Sequence, residues 1–110
     1  MVIPKIFPCE YQFCLILWEY EPISSTKLVS ICRDKLNWSK STTYTVIRRL
    51  VARGIMQNEQ TVCTSKITRD QAEVSIILKF ADEYFSGDHL QIERVILLLK
   101  KLKSQKESAN

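Results

Sequence analysis

Apolar residues recur at helical spacing along most of this chain, broken once by a short stretch rich in strand formers. In residues 8–20, Phe13, Leu15, Ile16, Leu17 and Trp18 crowd a segment with Glu10 near its start, which predicts a mostly buried helix ending before Pro22. Ser24 is a candidate N-cap for a second helix, in which Leu28, Val29, Cys32 and Leu36 repeat at steps of three and four. Lys27 occupies its N3 position, so no capping box is expected there. Asn37 and Trp38 make a brief break. Ser39 can then cap a third helix whose apolar stripe is Val46, Ile47, Leu50 and Val51, with Thr43 on the same side and Gly54 suited to a left-handed stop.

Beyond Gly54 the period changes. Ile55, Met56 and Gln57, then Thr61, Val62, Cys63, Thr64 and Ser65, predict a small two-stranded hairpin with Asn58, Glu59 and Gln60 as its turn. Helical spacing returns after Thr68, a plausible cap, with Val74, Ile77, Leu78, Ala81 and Phe85 on one face up to Gly87. A last helix carries Leu90, Ile92, Val95, Ile96, Leu97, Leu98, Leu99 and Leu102, apolar around much of its girth. Five consecutive aliphatic residues at 95–99 exceed what one face can bury locally. These leucines form either a dimer seam or the lid of a monomeric core, and the length of the run favours dimerisation.

Charge sharpens the picture of the third helix. Lys40, Arg48, Arg49 and Arg53 lie in residues 39–54 without a single acid, matching the formal net charge of +4 for all 110 residues. A polyanion is the natural partner of such a segment. Spacings of three and four place Ser41, Tyr44, Thr45 and Arg48 together, opposite the apolar stripe, with Thr42 adjoining. Hydroxyls can exchange hydrogen bonds with base edges, and arginine can read guanine or grip phosphate. A tight helix, turn and helix is also the arrangement that presents a helix to a DNA groove. Lys40 and Arg53, with Ser25, Thr26 and Lys27 at the start of the second helix, are expected to hold backbone phosphates. Arg49, at the margin of the stripe, either joins them or pairs with Glu10 or Glu19.

Other chemistries find little support. The four cysteines, Cys9, Cys14, Cys32 and Cys63, contain no Cys-x-x-Cys pair, and the single histidine, His89, is distant. No metal site or cofactor is expected; Cys14 and Cys32 read as packing residues, with a redox switch as the alternative. His89 reads as a capping or solvated residue, because nucleophilic catalysis needs a positioned base that this sequence does not supply. Trp18 and Trp38 read as core. The 45% hydrophobic content and 25% charge suit a soluble domain, and the opening residues show no secretion signal, which points to a cytoplasmic address.

Leu17-Trp18-Glu19, Pro22, Leu36-Asn37-Trp38-Ser39, Thr42, Thr45, Arg49-Leu50 and Gly54 resemble the penicillinase repressor family of β-lactamase and methicillin-resistance operon regulators. The likeness covers residues 10–67. It implies a mainly α, α+β fold: a winged helix-turn-helix in residues 1–67, a helical dimerisation region at 68–104, and a polar tail at 105–110. It implies a homodimer bound to double-stranded DNA at an inverted-repeat operator, acting as a transcriptional repressor rather than an enzyme; the composition is too polar for a membrane span, and the sequence points to no particular small-molecule ligand. On this reading Ser25, Thr26, Lys27, Lys40, Ser41, Thr42, Tyr44, Thr45, Arg48, Arg49 and Arg53 face DNA. Ile77, Leu78, Phe85, Leu90, Val95, Leu98, Leu99 and Leu102 join the subunits. The family's Asn-Phe cleavage site and its paired Cys-x-Cys motifs are both missing, so neither inducing signal carries over. The alternative reading is a winged-helix module that binds protein, suggested by the Asn58-Glu59-Gln60 tip and the modest total charge.

Overall fold

The computed structural model describes residues 2–108. In chain order it has α1 (Pro8–Tyr20), β1 (Ile23–Ser24), α2 (Ser25–Leu36), α3 (Lys40–Ala52), β2 (Met56–Glu59), β3 (Val62–Ser65), α4 (Arg69–Phe85) and α5 (His89–Ser108). Two compact units, Met1–Glu73 and Val74–Asn110, divide the chain, so α4 begins in the first and continues in the second. The fold is the expected one, mainly helical with a small antiparallel sheet.

Helix ends follow local chemistry. Pro8 opens α1 at a position that needs no N–H, and the Glu10 carboxylate accepts the Phe7 N–H at 3.0 Å. Ser24 Oγ accepts from Lys27 N and Ser39 Oγ from Thr42 N, both at 3.2 Å, so both expected caps are present. Thr68 caps α4 reciprocally: Gln71 N donates to Thr68 Oγ1 at 3.1 Å and Thr68 N to Gln71 Oε1 at 3.0 Å. Gly54 lies at φ +75° with open space where a Cβ would stand, so backbone conformation alone selects glycine there. Around it Gly54 N bonds Val51 O and Ile55 N bonds Leu50 O, closing α3 with a Schellman motif. At the start of α5 the capping group is Asp88, whose Oδ1 accepts Leu90 N at 3.0 Å, while His89 is exposed.

The sheet departs from expectation in two ways. It has three strands in the order β1-β3-β2, because Ile23 and Ser24 pair with Cys63 and Val62. A two-residue strand is too short for a periodic signal. The hairpin turn is Gln60-Thr61, both at positive φ (52° and 67°), while Asn58 and Glu59, expected in the turn, pair with Cys63 and Val62. Positive φ at both loop positions is the type I′ geometry, one of the two that match the strand twist. The β-branched Thr61 adopts it at a steric cost, and its carbonyl accepts the Ser25 N–H at 2.8 Å.

In the first unit Phe13, Leu17, Leu28, Leu50, Ile55 and Met56 are fully buried, with Cys14, Cys32 and Cys63 among them. Burial pushes the Cys14 thiol up to about 12 and that of Cys32 to about 11, so both stay neutral packing groups. Trp18 donates Nε1–H to Ile67 O at 3.0 Å, and Trp38 lies parallel to Phe13 with ring centroids 6.2 Å apart. In the second unit Ala81 is buried and Phe85, Ile92 and Val95 are half-buried, whereas Ile77, Leu78, Leu90, Leu98, Leu99 and Leu102 are exposed. Residues 105–108, expected as a polar tail, continue α5; residues 109 and 110 of that tail lie outside the described residues.

Candidate nucleic-acid interface

Helix α3 has two unlike sides. Thr43, Val46, Ile47 and Leu50 are buried, and Thr43 Oγ1 bonds back to Ser39 O at 3.3 Å, which lets a hydroxyl sit in the core. Lys40, Ser41, Thr42, Arg48 and Arg49 are exposed on the remaining surface, with Tyr44 and Thr45 half-buried beside them. Ser39, Lys40, Ser41, Tyr44 and Arg48 line a shallow depression along the first two turns. The structure thus brings the expected hydroxyls and Arg48 onto one solvent face.

Helix α1 holds α3 at both ends. At the entry to α3, Trp38 stacks on Phe13; at its exit, the Arg53 guanidinium pairs with the Glu10 carboxylate. Arg53 also donates to Lys5 O at 2.6 Å and to Arg49 O at 3.3 Å, and lies 5.7 Å from the centroid of the Phe7 ring. Only 3% of the Glu10 side chain and 25% of that of Arg53 is exposed, and the carboxylate is otherwise spent on the Phe7 N–H. This corrects the expectation that Arg53 grips phosphate: its fork is committed to an acid that burial makes costly to leave unpaired. It also answers the question of Arg49, which stays exposed while Arg53 takes Glu10. Glu10 is thus the acid that the sequence offered to Arg49, but it pairs with Arg53 instead; an acid at N3 of α1 does not record which arginine folding brings to it.

Hydrogen bonds order the hydroxyls of the exposed face. Ser39 Oγ donates to Thr42 Oγ1 at 2.9 Å and lies 3.2 Å from Ser41 Oγ, leaving the Thr42 proton for an outside acceptor. Thr45 Oγ1 donates to Ser41 O at 2.8 Å and accepts from Arg48 Nη2 at 3.2 Å. Among the described residues no carboxylate pairs with Lys40, Arg48 or Arg49, so their positive charge is uncompensated.

The start of α2 divides. Thr26 and Lys27 are exposed, as a phosphate contact requires. Ser25 is 3% exposed and its N–H is taken by Thr61 O, which corrects its expected phosphate role: the turn of the hairpin occupies that amide. The same bond ties the Gln60-Thr61 tip to the body of the unit. The outer side of the hairpin offers Gln57, Glu59, Val62 and Thr64.

Among the described residues no cluster of three His, Cys, Asp or Glu side chains could hold a metal, and no helix is long and apolar enough to cross a membrane. The sequence model of the penicillinase repressor family matches residues 6–108. Seven solved chains are similar to this one. The solution structure of the DNA-binding domain of the repressor BlaI shares 22% identity over 61% of this chain and 87% of its own, with a TM-score of 0.57. The monomeric form of Bacillus licheniformis BlaI, solved with the blaP half-operator, shares 24% over 62% and 88%, with a TM-score of 0.54. At these identities the two structures establish the winged-helix fold. No curated protein sequence matches.

Proposed function

Because the chain belongs to the penicillinase repressor family, whose members are DNA-binding transcription regulators and not enzymes, we propose that it represses transcription as a homodimer on an inverted-repeat operator. The observation that carries this reading is the solvent face of α3, where Ser41, Thr42, Tyr44, Thr45 and Arg48 stand together without an acid. Placed in the major groove, that face offers hydroxyl donors and acceptors, a threonine methyl and a guanidinium to base edges. Lys40, Arg49, Thr26 and Lys27 flank it as phosphate contacts, which position the helix rather than specify sequence. The solved complex of BlaI with a half-operator is a precedent in the same fold.

Dimerisation is proposed on the second unit, where Ile77, Leu78, Leu90, Leu98, Leu99 and Leu102 are exposed and Phe85 and Val95 half-buried. Exposed apolar surface on this scale marks an interaction site in a soluble protein. Phe80 and Tyr84 extend this surface, as do Ile96 and Leu97 of the aliphatic run at 95–99, all four exposed. The proposed compartment is the cytoplasm.

The test is selection of sheared genomic DNA on the purified protein at near-physiological salt, followed by sequencing of the retained pool. The expected result is an enriched inverted repeat with half-sites about 10–10.5 base pairs apart, or a multiple of that. Retention should also fall steeply as salt rises. A featureless pool would overturn specific recognition and return the protein-binding module as the better account.

A further inference from the structure

We propose that Arg48 reads a guanine in each operator half-site and that Thr45 acts through it, as the residue that aims the guanidinium rather than as a base contact of its own. The inference rests on the DNA-binding reading above and adds to it a base identity and a division of labour between two neighbouring side chains.

Thr45 is anchored within its own helix. Its hydroxyl proton goes to Ser41 O at 2.8 Å, one turn back along α3, which is the ordinary rotamer of a helical threonine. With the proton spent inside the helix, the lone pairs of the oxygen face outward, and one receives an N–H from Arg48 Nη2 at 3.2 Å. Thr45 therefore has no proton to give a base, and its oxygen already holds the guanidinium. A half-buried side chain in a single rotamer makes a firm abutment for an exposed, flexible one.

Arg48 is free to use what remains. Guanidinium has five N–H donors in a planar fork, so one bond to Thr45 leaves enough for a bidentate contact with guanine O6 and N7, the commonest specific pairing in the major groove. No described carboxylate competes for it, in contrast to Arg53, whose Nη2 pairs with Glu10 while Nη1 and Nε go to Lys5 O and Arg49 O. An arginine bent along the helix by a neighbour loses less side-chain entropy on binding than one that must be ordered from solvent. The adjacent hydroxyls complete the assignment. Thr42, with its own proton free, is the donor of the face, and Ser41 and Tyr44 line the depression next to Arg48.

The experiment selects a randomised DNA library on the full chain and on Arg48→Ala, Thr45→Val and Thr45→Ser, with thermal unfolding recorded for each. The unaltered protein is expected to enrich a G·C pair at one fixed position of each half-site. Arg48→Ala should abolish the preference at that position, about tenfold or more in the original, while other positions keep theirs. Thr45→Val, which keeps shape and loses the oxygen, should weaken the same position several-fold; Thr45→Ser, which keeps the oxygen, should restore it. A motif unchanged in Arg48→Ala would overturn the inference. So would an equal loss on every sequence with a salt slope smaller by about one, the mark of a phosphate contact. Thr45→Ser behaving like Thr45→Val, or Thr45→Val behaving like the unaltered protein, would overturn the role of Thr45. If the unaltered protein enriches nothing, the functional reading falls and this inference falls with it, whereas a surviving motif that ignores Arg48 defeats this inference alone.

Discussion

The two units of this chain solve the problem of apolar surface in opposite ways. In the first, Phe13, Leu17, Leu28, Leu50, Ile55 and Met56 are fully buried, and the charged groups near the core are matched: Glu10 to Arg53, Glu21 to the Ser65 N–H and hydroxyl. In the second, leucines at 90, 97, 99 and 102 remain 58–72% exposed. A domain that closes its own core can present a polar face to a ligand; one that leaves its leucines outside calls for another apolar surface. In the proposed function the first unit is the one that reads DNA and the second the one that joins the subunits.

The largest effect should come from opening the closed core. Leu50→Ala removes a fully buried side chain from the inner face of α3 and should cost about 3–5 kcal/mol in urea unfolding, with loss of DNA binding. An equal loss from Leu99→Ala would break the comparison, since that residue is 58% exposed.

Next is the second unit. The double change Leu98→Glu with Leu102→Glu places carboxylates on the proposed seam and should convert the protein to monomer in sedimentation. Operator affinity should fall about a hundredfold, because two linked half-site contacts become independent, while unfolding of the first unit stays unchanged. Persistence of the dimer would assign these leucines to a core of their own.

A smaller effect is expected from Glu10→Gln. The change keeps the Phe7 cap but leaves the partly buried Arg53 without its counter-charge, and should cost about 2 kcal/mol, less than for a fully buried pair because a quarter of Arg53 is in solvent. Chemical unfolding measures it.

The smallest concerns Glu73, whose carboxyl is held below its usual range by the Tyr11 hydroxyl first and Arg69 second. A carboxyl lowered in the folded state adds stability that is fully present above its unfolded value and is lost as pH falls through the folded one. Acid titration of the unfolding midpoint should therefore show a shallow decline on the acid side of the carboxylate range, and Tyr11→Phe should flatten it.

Much of the first unit was legible because its signals are local. The caps Ser24, Ser39 and Thr68 announce themselves within one turn, and the stop at Gly54 needs only a left-handed φ that glycine supplies. What escaped was set at long range. Thr61 looks like strand by composition and Asn58 and Glu59 look like turn, and only the pairing of Glu59 with Val62 moves the turn to Gln60-Thr61 and puts both at positive φ. β1 exists because Ile23 and Ser24 meet β3, and Ser25 is lost as a phosphate contact because that meeting brings Thr61 O to its N–H.

The sequence by itself determined the helices, the caps at Ser24, Ser39 and Thr68 and the unbalanced basic, hydroxyl-bearing face of α3, since spacing along a helix decides which residues share a side whatever lies elsewhere. Tertiary structure alone decided which cations stay free. Arg53 and Arg48 are indistinguishable as letters, yet one is drawn to an acid 43 residues away in the chain and the other is left facing solvent beside Thr45. Buried charge must find its partner wherever folding brings one, and no local pattern records which arginine that will be.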